Sequence, residues 1–276
     1  MMEMAGLREA VIDIACEAGT AIMSVYRGEF EVERKSDASP VTAADLASQR
    51  VIADALRRLT PDLPVLSEEG VQAPWEIRRY WPRYWLVDPL DGTREFVNRN
   101  DEFSVNIALI DQGVPVLGVI QSPVTGIIWH AVSAHGACLR DGARERELRV
   151  RKPAVPPLRI AVSRSRPPPR TQALMAVIED GTLPVALGSS LKFCRIAAGE
   201  LDVYPRLGPT SEWDTAAGQC ILETAGGVLL SPRTGRPFRY NQKESLINGD
   251  FIALGDGSLP WRRWFEDSGW TETPSV

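Results

Sequence analysis

The sequence predicts a mixed α/β protein of the α+β kind, and three observations carry that class. Apolar residues recur at helical spacing near the N-terminus. Three strand-like runs follow one another across tight turns in the middle of the chain. Beyond a proline-rich stretch, short apolar runs alternate with helical segments, the pattern of α/β units.

Leu7 to Tyr26 places Val11, Ile14, Ala15, Ala18 and Ile22 on one helical stripe. Glu31 to Ser39 is polar and reads as a loop or short hairpin. A second helix is expected from Thr42 to about Leu59, with Ile52, Leu56 and Leu59 facing the core and Pro61 ending it. Pro64 to Leu66 is a short strand that runs into Ser67-Glu68-Glu69. Trp85-Leu86-Val87 reads as a buried strand ending at Asp88, Pro89-Leu90 as a turn, and Asp91-Gly92-Thr93 as the opening of a helix. Phe103 to Ile110, Val114 to Ile120 and Gly126 to Val132 form an antiparallel meander, with turns at Gln112-Gly113 and Pro123 to Gly126.

Lys152 to Pro157 marks the boundary between two halves, residues 1–152 and 153–276, of one compact unit. In the second half, Leu158 to Ser163, Pro184 to Leu187 and Asp202 to Tyr204 read as strands. Thr171 to Ile178, Ser190 to Ala198 and Trp213 to Ala225 read as helices. Pro167-Pro168-Pro169 is a rigid turn.

Composition excludes several classes. With 31 Lys and Arg against 36 Asp and Glu, the net charge of −5 argues against a nucleic-acid binder. It leaves room for a small polyanion, because bound cations reverse a local field. Cys16, Cys138, Cys194 and Cys220 include no C-x-x-C pair and read as free thiols in a reducing compartment. Two histidines, His130 and His135, are too few for a zinc hydrolase or a Ser-His-Asp enzyme. Glu3, Arg8, Glu9 and Asp13 interrupt any secretory apolar core, and no apolar run is long enough to span a bilayer.

Four acids stand at element ends: Glu68, Asp88, Asp91 and Asp214. Carboxylates suit hard divalent cations, and helix N–H groups suit phosphate. A pair of such ions can activate water and stabilise a leaving alkoxide. Each acid also has a plainer role open to it. Asp214 follows Ser211 at capping-box spacing, and Asp91 could cap the helix at Gly92. Asp88, directly after Trp-Leu-Val, is buried enough to need a partner. Asp45 closes a capping box with Thr42, or hydrogen-bonds the Thr93 hydroxyl so that it orients a water. Gly188-Ser189-Ser190-Leu191-Lys192 follows a strand and opens a helix, so it could hold a phosphate, or Ser189 could be an N-cap. Arg94, Lys192 and Arg206 are counter-charges for a second phosphate, or solvated surface.

The ordered set Pro40-Val41-Thr42-Ala43-Ala44-Asp45, Ser67-Glu68-Glu69, Asp88-Pro89-Leu90-Asp91-Gly92-Thr93 and Trp213-Asp214-Thr215-Ala216-Ala217-Gly218 resembles the inositol monophosphatase superfamily of lithium-sensitive, magnesium-dependent phosphomonoesterases. Asp91 to Phe96, Asn100 to Ile110, Gly188 to Cys194, Tyr204-Pro205-Arg206 and Gly208-Pro209-Thr210 resemble its 3'(2'),5'-bisphosphate nucleotidase branch. The resemblance implies a layered α-β-α-β-α fold. It implies a first magnesium on Glu68, Asp88 and the Leu90 carbonyl, and a second on Asp88, Asp91 and Asp214; a third ion stays open. Glu68, Asp45 and Thr93 would be the catalytic residues, with Thr93 and Asp45 helping to deprotonate the attacking water. Gly92 and Thr93 N–H groups would hold phosphate, and Ser189, Ser190 and Lys192 would line the nucleotide pocket.

The activity so implied is hydrolysis of adenosine 3',5'-bisphosphate to AMP and phosphate. The sulfated nucleotide 3'-phosphoadenosine 5'-phosphosulfate would be a second substrate, in sulfur metabolism. An inositol monophosphatase or other sugar-phosphate phosphatase, and a metal-dependent nucleotide-binding regulator, are the alternatives. The resemblance further implies a cytoplasmic protein, with some relatives peripheral on the inner membrane face and some homodimeric.

Overall fold

The structure is a computed structural model and describes residues 3–34, 40–164, 168–178 and 181–271. Helix α1 (Met4–Tyr26) buries Leu7, Val11, Ile14, Ala15, Ala18 and Ile22 along one face, as its period predicts. Strands β1 (Val32–Arg34) and β2 (Pro40–Thr42) pair antiparallel. The rest of the expected loop or hairpin, residues 35–39, lies outside the described residues. Thr42 is the N-cap of helix α2 (Ala43–Leu59), so the helix starts one residue later than its periodicity suggests. Ile52 and Leu56 are fully buried.

Strand β3 (Val65–Ser67) runs parallel to β4 (Arg83–Asp91), with helix α3 (Trp75–Arg78) between them. Here the structure corrects the sequence reading. β4 does not stop at Asp88 but continues through Pro89-Leu90 to Asp91, with its register against the next strand broken between Asp88 and Asp91. Pro89 has no N–H to give to a ladder, and an irregularity is where a sheet tolerates it. Helix α4 (Thr93–Val97) follows, and its N-cap is Gly92 at φ +92°, a conformation that favours glycine.

Strands β5 (Ser104–Asp111), β6 (Val114–Gln121) and β7 (Ile128–Val132) form the expected meander. β8 (Gly136–Asp141) and β9 (Arg144–Glu147) extend it, giving a seven-stranded sheet of order β3-β4-β5-β6-β7-β8-β9. Sequence reasoning missed these last two. Every residue of β9 is exposed, so no apolar period marks it.

The remaining elements are β10 (Leu158–Val162), α5 (Pro169–Ala176), β11 (Thr182–Ala186), α6 (Leu191–Ala197), β12 (Val203–Arg206), β13 (Thr210–Ser211), α7 (Glu212–Thr224), β14 (Val228–Leu230), β15 (Ile247–Asn248), β16 (Phe251–Leu254) and α8 (Trp261–Asp267). α5 opens two residues earlier than expected because Pro169 sits in its first turn, where a fixed φ and a missing N–H are harmless. A second sheet has order β11-β10-β12-β16-β14, parallel at β10 and antiparallel around β16. The last strands and α8 carried no motif and went unread.

Alternating side chains sort the sheets into layers. Trp85, Val87, Ile107, Leu109 and Val119 face α1 and α2 in one buried cluster. Leu86, Ala108, Ile110 and Ile120 face the other way and pack with Ala216, Ala217, Cys220 and Ile221 of α7. That cluster continues into Phe193, Tyr204 and Phe251 beside the second sheet, whose far side packs on Leu174, Trp261, Trp264 and Phe265. The order is therefore α-β-α-β-α. β6 admits α7 closely at Gly118, where a Cβ would stand 2.7 Å from the Ala217 carbonyl oxygen. The middle cluster draws on residues before and after 152/153. Among the described residues, no helix is long and apolar enough to cross a membrane.

Candidate active site

Three elements deliver the acids. The broken register of β4 presents Asp88 and Asp91 at its C-terminal end. Glu68 follows β3, its N–H bonded to the Val87 carbonyl at 3.2 Å. Asp214 is the third residue of α7. The start of α7 is anchored by Glu212, whose carboxylate accepts the Asn241 N–H at 2.8 and 3.0 Å.

These acids act on one another. Asp88 is 1% exposed, and its pKa is raised well above the usual carboxylate range, by burial and then by Glu68, Asp91, Asp214 and Asp45. Asp214 is raised well above that range too, by burial and then chiefly by Asp91. Asp91 is raised to about 6 by burial, against the pull of Lys192 and its hydrogen bonds. Among the described residues, no three of these acids bring oxygens within 4.8 Å of one another, as repelling charges tend to stand. Such a buried cluster of carboxylates calls for cations, and the all-oxygen donor set fits a hard divalent ion.

Hydrogen bonds fix the orientation of Asp45, Asp91 and Asp214. Asp45, 2% exposed, makes both of the contacts open to it. Its Oδ2 accepts the Thr42 N–H at 2.7 Å and the Thr42 hydroxyl at 2.8 Å, and its Oδ1 accepts the Thr93 hydroxyl at 3.2 Å. Thr93 Oγ1 also lies 3.4 Å from the Leu90 carbonyl oxygen. Asp214 Oδ2 accepts the Ser211 N–H at 2.9 Å, a capping contact that leaves a carboxylate further lone pairs for a cation. Asp91 makes no capping bond to α4; its Oδ2 accepts the Ser190 N–H at 2.5 Å and the Asn106 amide at 3.4 Å.

The loop before α6 comes to this site, but differently from the sequence expectation. Ser189, at φ +46°, lies against Gly92, where a Cβ would meet the Ser189 Cβ at 3.3 Å. The Gly188 and Ser190 N–H groups, which one of the two sequence readings offered to phosphate, go to the carboxylates of Glu102 (2.7 Å) and Asp91. Ser190 is the N-cap residue of α6 without a side-chain bond, its hydroxyl donating to Asn106 Oδ1 at 2.7 Å, while the Ser189 hydroxyl, read from the sequence as a possible cap, accepts the Leu191 N–H at 3.4 Å. Lys192 is 5% exposed, donates to the Ser189 carbonyl at 2.9 Å and lies over the Tyr204 ring. Burial lowers it to about 8, opposed by Asp91. Arg206 acts on both Lys192 and Asp214, whereas Arg94 is exposed on α4.

Sequence reasoning assigned no role to Asn106, Ser48 or Glu102. Asn106 orients Asp91 and Ser190 together. The Ser48 hydroxyl donates to the Pro89 carbonyl at 2.7 Å and ties the β4 irregularity to α2. Glu102 bonds the Gly188 N–H and pairs with Arg164. The available signal was Asn106 itself, a polar residue inside an otherwise apolar strand.

The raised acids set a pH dependence. Asp91 titrates near 3.8 unfolded and at about 6 folded, so between those values the folded chain binds more protons. The metal-free protein should therefore lose stability as pH rises through that window, by about 2 kcal/mol from Asp91 alone. Divalent cations need ionised ligands, so their stabilisation should grow over the same range. Melting temperatures with chelator and with magnesium at pH 5, 6 and 7 test this. Parallel curves would argue against cation binding by these acids.

The fold and this arrangement define a class. The inositol monophosphatase family profile matches residues 3–255, and the chain belongs to that family, whose members are generally metal-dependent phosphatases. Among its relatives is the 3'(2'),5'-bisphosphate nucleotidase CysQ of Salmonella typhimurium, 49% identical over 246 residues, covering 88% of this chain and 97% of the relative. The protein of that name from Escherichia coli K12 is 46% identical over 245 residues, with the same coverage. The crystal structure of CysQ from Bacteroides thetaiotaomicron matches with a TM-score of 0.79 at 37% identity, covering 90% of this chain and 97% of that one.

Proposed function

We propose that this chain is a 3'(2'),5'-bisphosphate nucleotidase that hydrolyses adenosine 3',5'-bisphosphate to AMP and phosphate. The observation that carries the reading is the convergence of Glu68, Asp88, Asp91 and Asp214 beside the Thr93–Asp45 pair. It stands in a chain 46–49% identical to bacterial CysQ proteins over nearly their whole length. The sulfated nucleotide 3'-phosphoadenosine 5'-phosphosulfate is the second substrate of the proposal, which places the enzyme in sulfur metabolism and in the cytoplasm.

Two or three magnesium ions held by Glu68, Asp88, Asp91, Asp214 and the Leu90 carbonyl would supply water activation and leaving-group stabilisation. The remaining chemistry belongs to the chain. Asp45 holds the Thr93 hydroxyl by its proton, which turns the Thr93 lone pairs outward to accept from a water. Thr42 fixes the other Asp45 oxygen, so the pair is rigid before substrate arrives. The water oxygen bonds to phosphorus as the bond to the ribose 3'-oxygen breaks, and that oxygen leaves with a proton as the hydroxyl of AMP. The Gly92 and Thr93 N–H groups hold the transferred phosphate. Ser189, Ser190 and Lys192 position the nucleotide through the packed loop rather than through the N–H groups at 188 and 190.

Phosphate release from adenosine 3',5'-bisphosphate and from inositol 1-phosphate, compared with magnesium and with or without lithium, tests the proposal. A strong, lithium-sensitive preference for the nucleotide is expected. Preference for inositol phosphate would keep the acidic site and overturn the substrate. Tight nucleotide binding without release would favour a regulator.

A further inference from the structure

The far edge of the seven-stranded sheet carries a second group of donor atoms that the acidic site does not use. His130 on β7 pairs directly with Cys138 on β8, so both side chains lie on one face. Glu145 on β9 pairs with Arg140, two residues along from Cys138 and on the same face. One donor atom each from His130, Cys138 and Glu145 all lie within 4.8 Å of one another. Among the described residues this is the one threefold group of His, Cys, Asp or Glu that closes so tightly.

A second observation is independent of that spacing. His130 is 1% exposed, yet among the described residues neither ring nitrogen has a hydrogen-bond partner; Nε2 stands 3.5 Å from the Glu145 carboxylate. Leaving such a polar atom buried and unpaired is costly, and native folds rarely keep one without a use. Burial also lowers the His130 pKa, which keeps the ring neutral with a lone pair to give.

We propose that His130, Cys138 and Glu145 form a binding site for a single zinc-class divalent cation, separate from the acidic site. Imidazole, thiolate and carboxylate together are donors that zinc accepts, whereas magnesium takes oxygen alone. Three protein donors leave a fourth, tetrahedral position for water. Zinc would draw sulfur and nitrogen to about 3.6 Å apart. Glu145, on the exposed strand, has the freedom to follow. Its present partner, Arg140, also donates to Glu9 at 2.8 and 3.2 Å, so it keeps an anion when Glu145 turns to the cation. Arg8, which pairs with Glu9, completes the charged surroundings. The Cys138 thiol, raised by burial and by Glu145, gives up its proton to solvent when the cation binds. Cys138 lies four strands from β4, about 19 Å across the sheet, too far to share an ion with Asp88. The bound ion would pin the edge strand β9 to the buried side of β7.

Cobalt(II) is the probe, added to reduced, magnesium-saturated full-length protein. Cobalt bound to a thiolate shows a charge-transfer band in the near ultraviolet, which the all-oxygen acidic site cannot produce. The expected result is such a band saturating at one equivalent and bleached by zinc. It should be absent in Cys138→Ser, retained in Cys16→Ser and weakened at least tenfold in affinity in His130→Gln. Magnesium-dependent phosphatase turnover in Cys138→Ser should match the parent, which shows that the variant is folded. No band in the parent protein with excess cobalt would overturn the proposal, and so would a band that survives both Cys138→Ser and His130→Gln.

Discussion

Replacing Asp91 with asparagine should lower kcat by about 10³-fold without unfolding the chain. The asparagine carbonyl can still accept the Ser190 N–H, so the loop before α6 keeps its contact with β4. What disappears is one negative charge among four, at the position that presses most on Asp214. Losing cation stabilisation of the developing charge costs several kcal/mol, and about 4 kcal/mol corresponds to about 10³ in rate. The metal-free variant should melt no lower than the parent, because removing a like charge relieves repulsion. Magnesium should raise its melting temperature less than it raises the parent's. Steady-state kinetics and thermal melts with and without magnesium check both halves. Near-normal turnover would sink the assignment of Asp91 as a cation ligand.

Thr93→Ala separates catalysis from architecture. Its hydroxyl donates the hydrogen bond that joins Asp45 to the opening of α4. Removing it leaves Asp45 capped by Thr42 and α2 intact, but takes away the atom that would orient the attacking water. Proton-transfer partners of this kind contribute about 10²–10⁴-fold, so kcat should fall at least 10²-fold. The magnesium concentration for half-maximal activity should change only a few-fold, and Thr93→Ser should restore most of the rate. A shift in magnesium dependence with kcat preserved would make Thr93 a structural residue.

The motif acids were legible because element ends are short-range features. Asp91 before Gly-Thr and Asp214 three residues after Ser211 each announce a helix start within a few positions, whereas Asp88 after an apolar run marks the register break in β4 and not its end. The helices α1 and α2 were equally plain, since an amphipathic stripe is written in consecutive turns. β8 and β9 were not, because an edge strand with exposed side chains is held by ladder bonds to a neighbour and not by its own apolar pattern.

The sequence by itself therefore determined the fold class, the order of the motifs and the set of acids. Only the tertiary structure decided what each acid faces. Asp45 and Thr93 are 48 positions apart, and Asp91 and Ser190 are 99 apart. Asp45 proved to be cap and partner at once, because a carboxylate has two oxygens and the fold brings a different donor to each. The Gly188 and Ser190 N–H groups, open in the sequence, are spent on Glu102 and Asp91. The physical reason is common to all three. Local pattern sets where a donor or acceptor is offered, but the partner that satisfies it arrives from another element far along the chain, and only the packing of the elements together specifies which one.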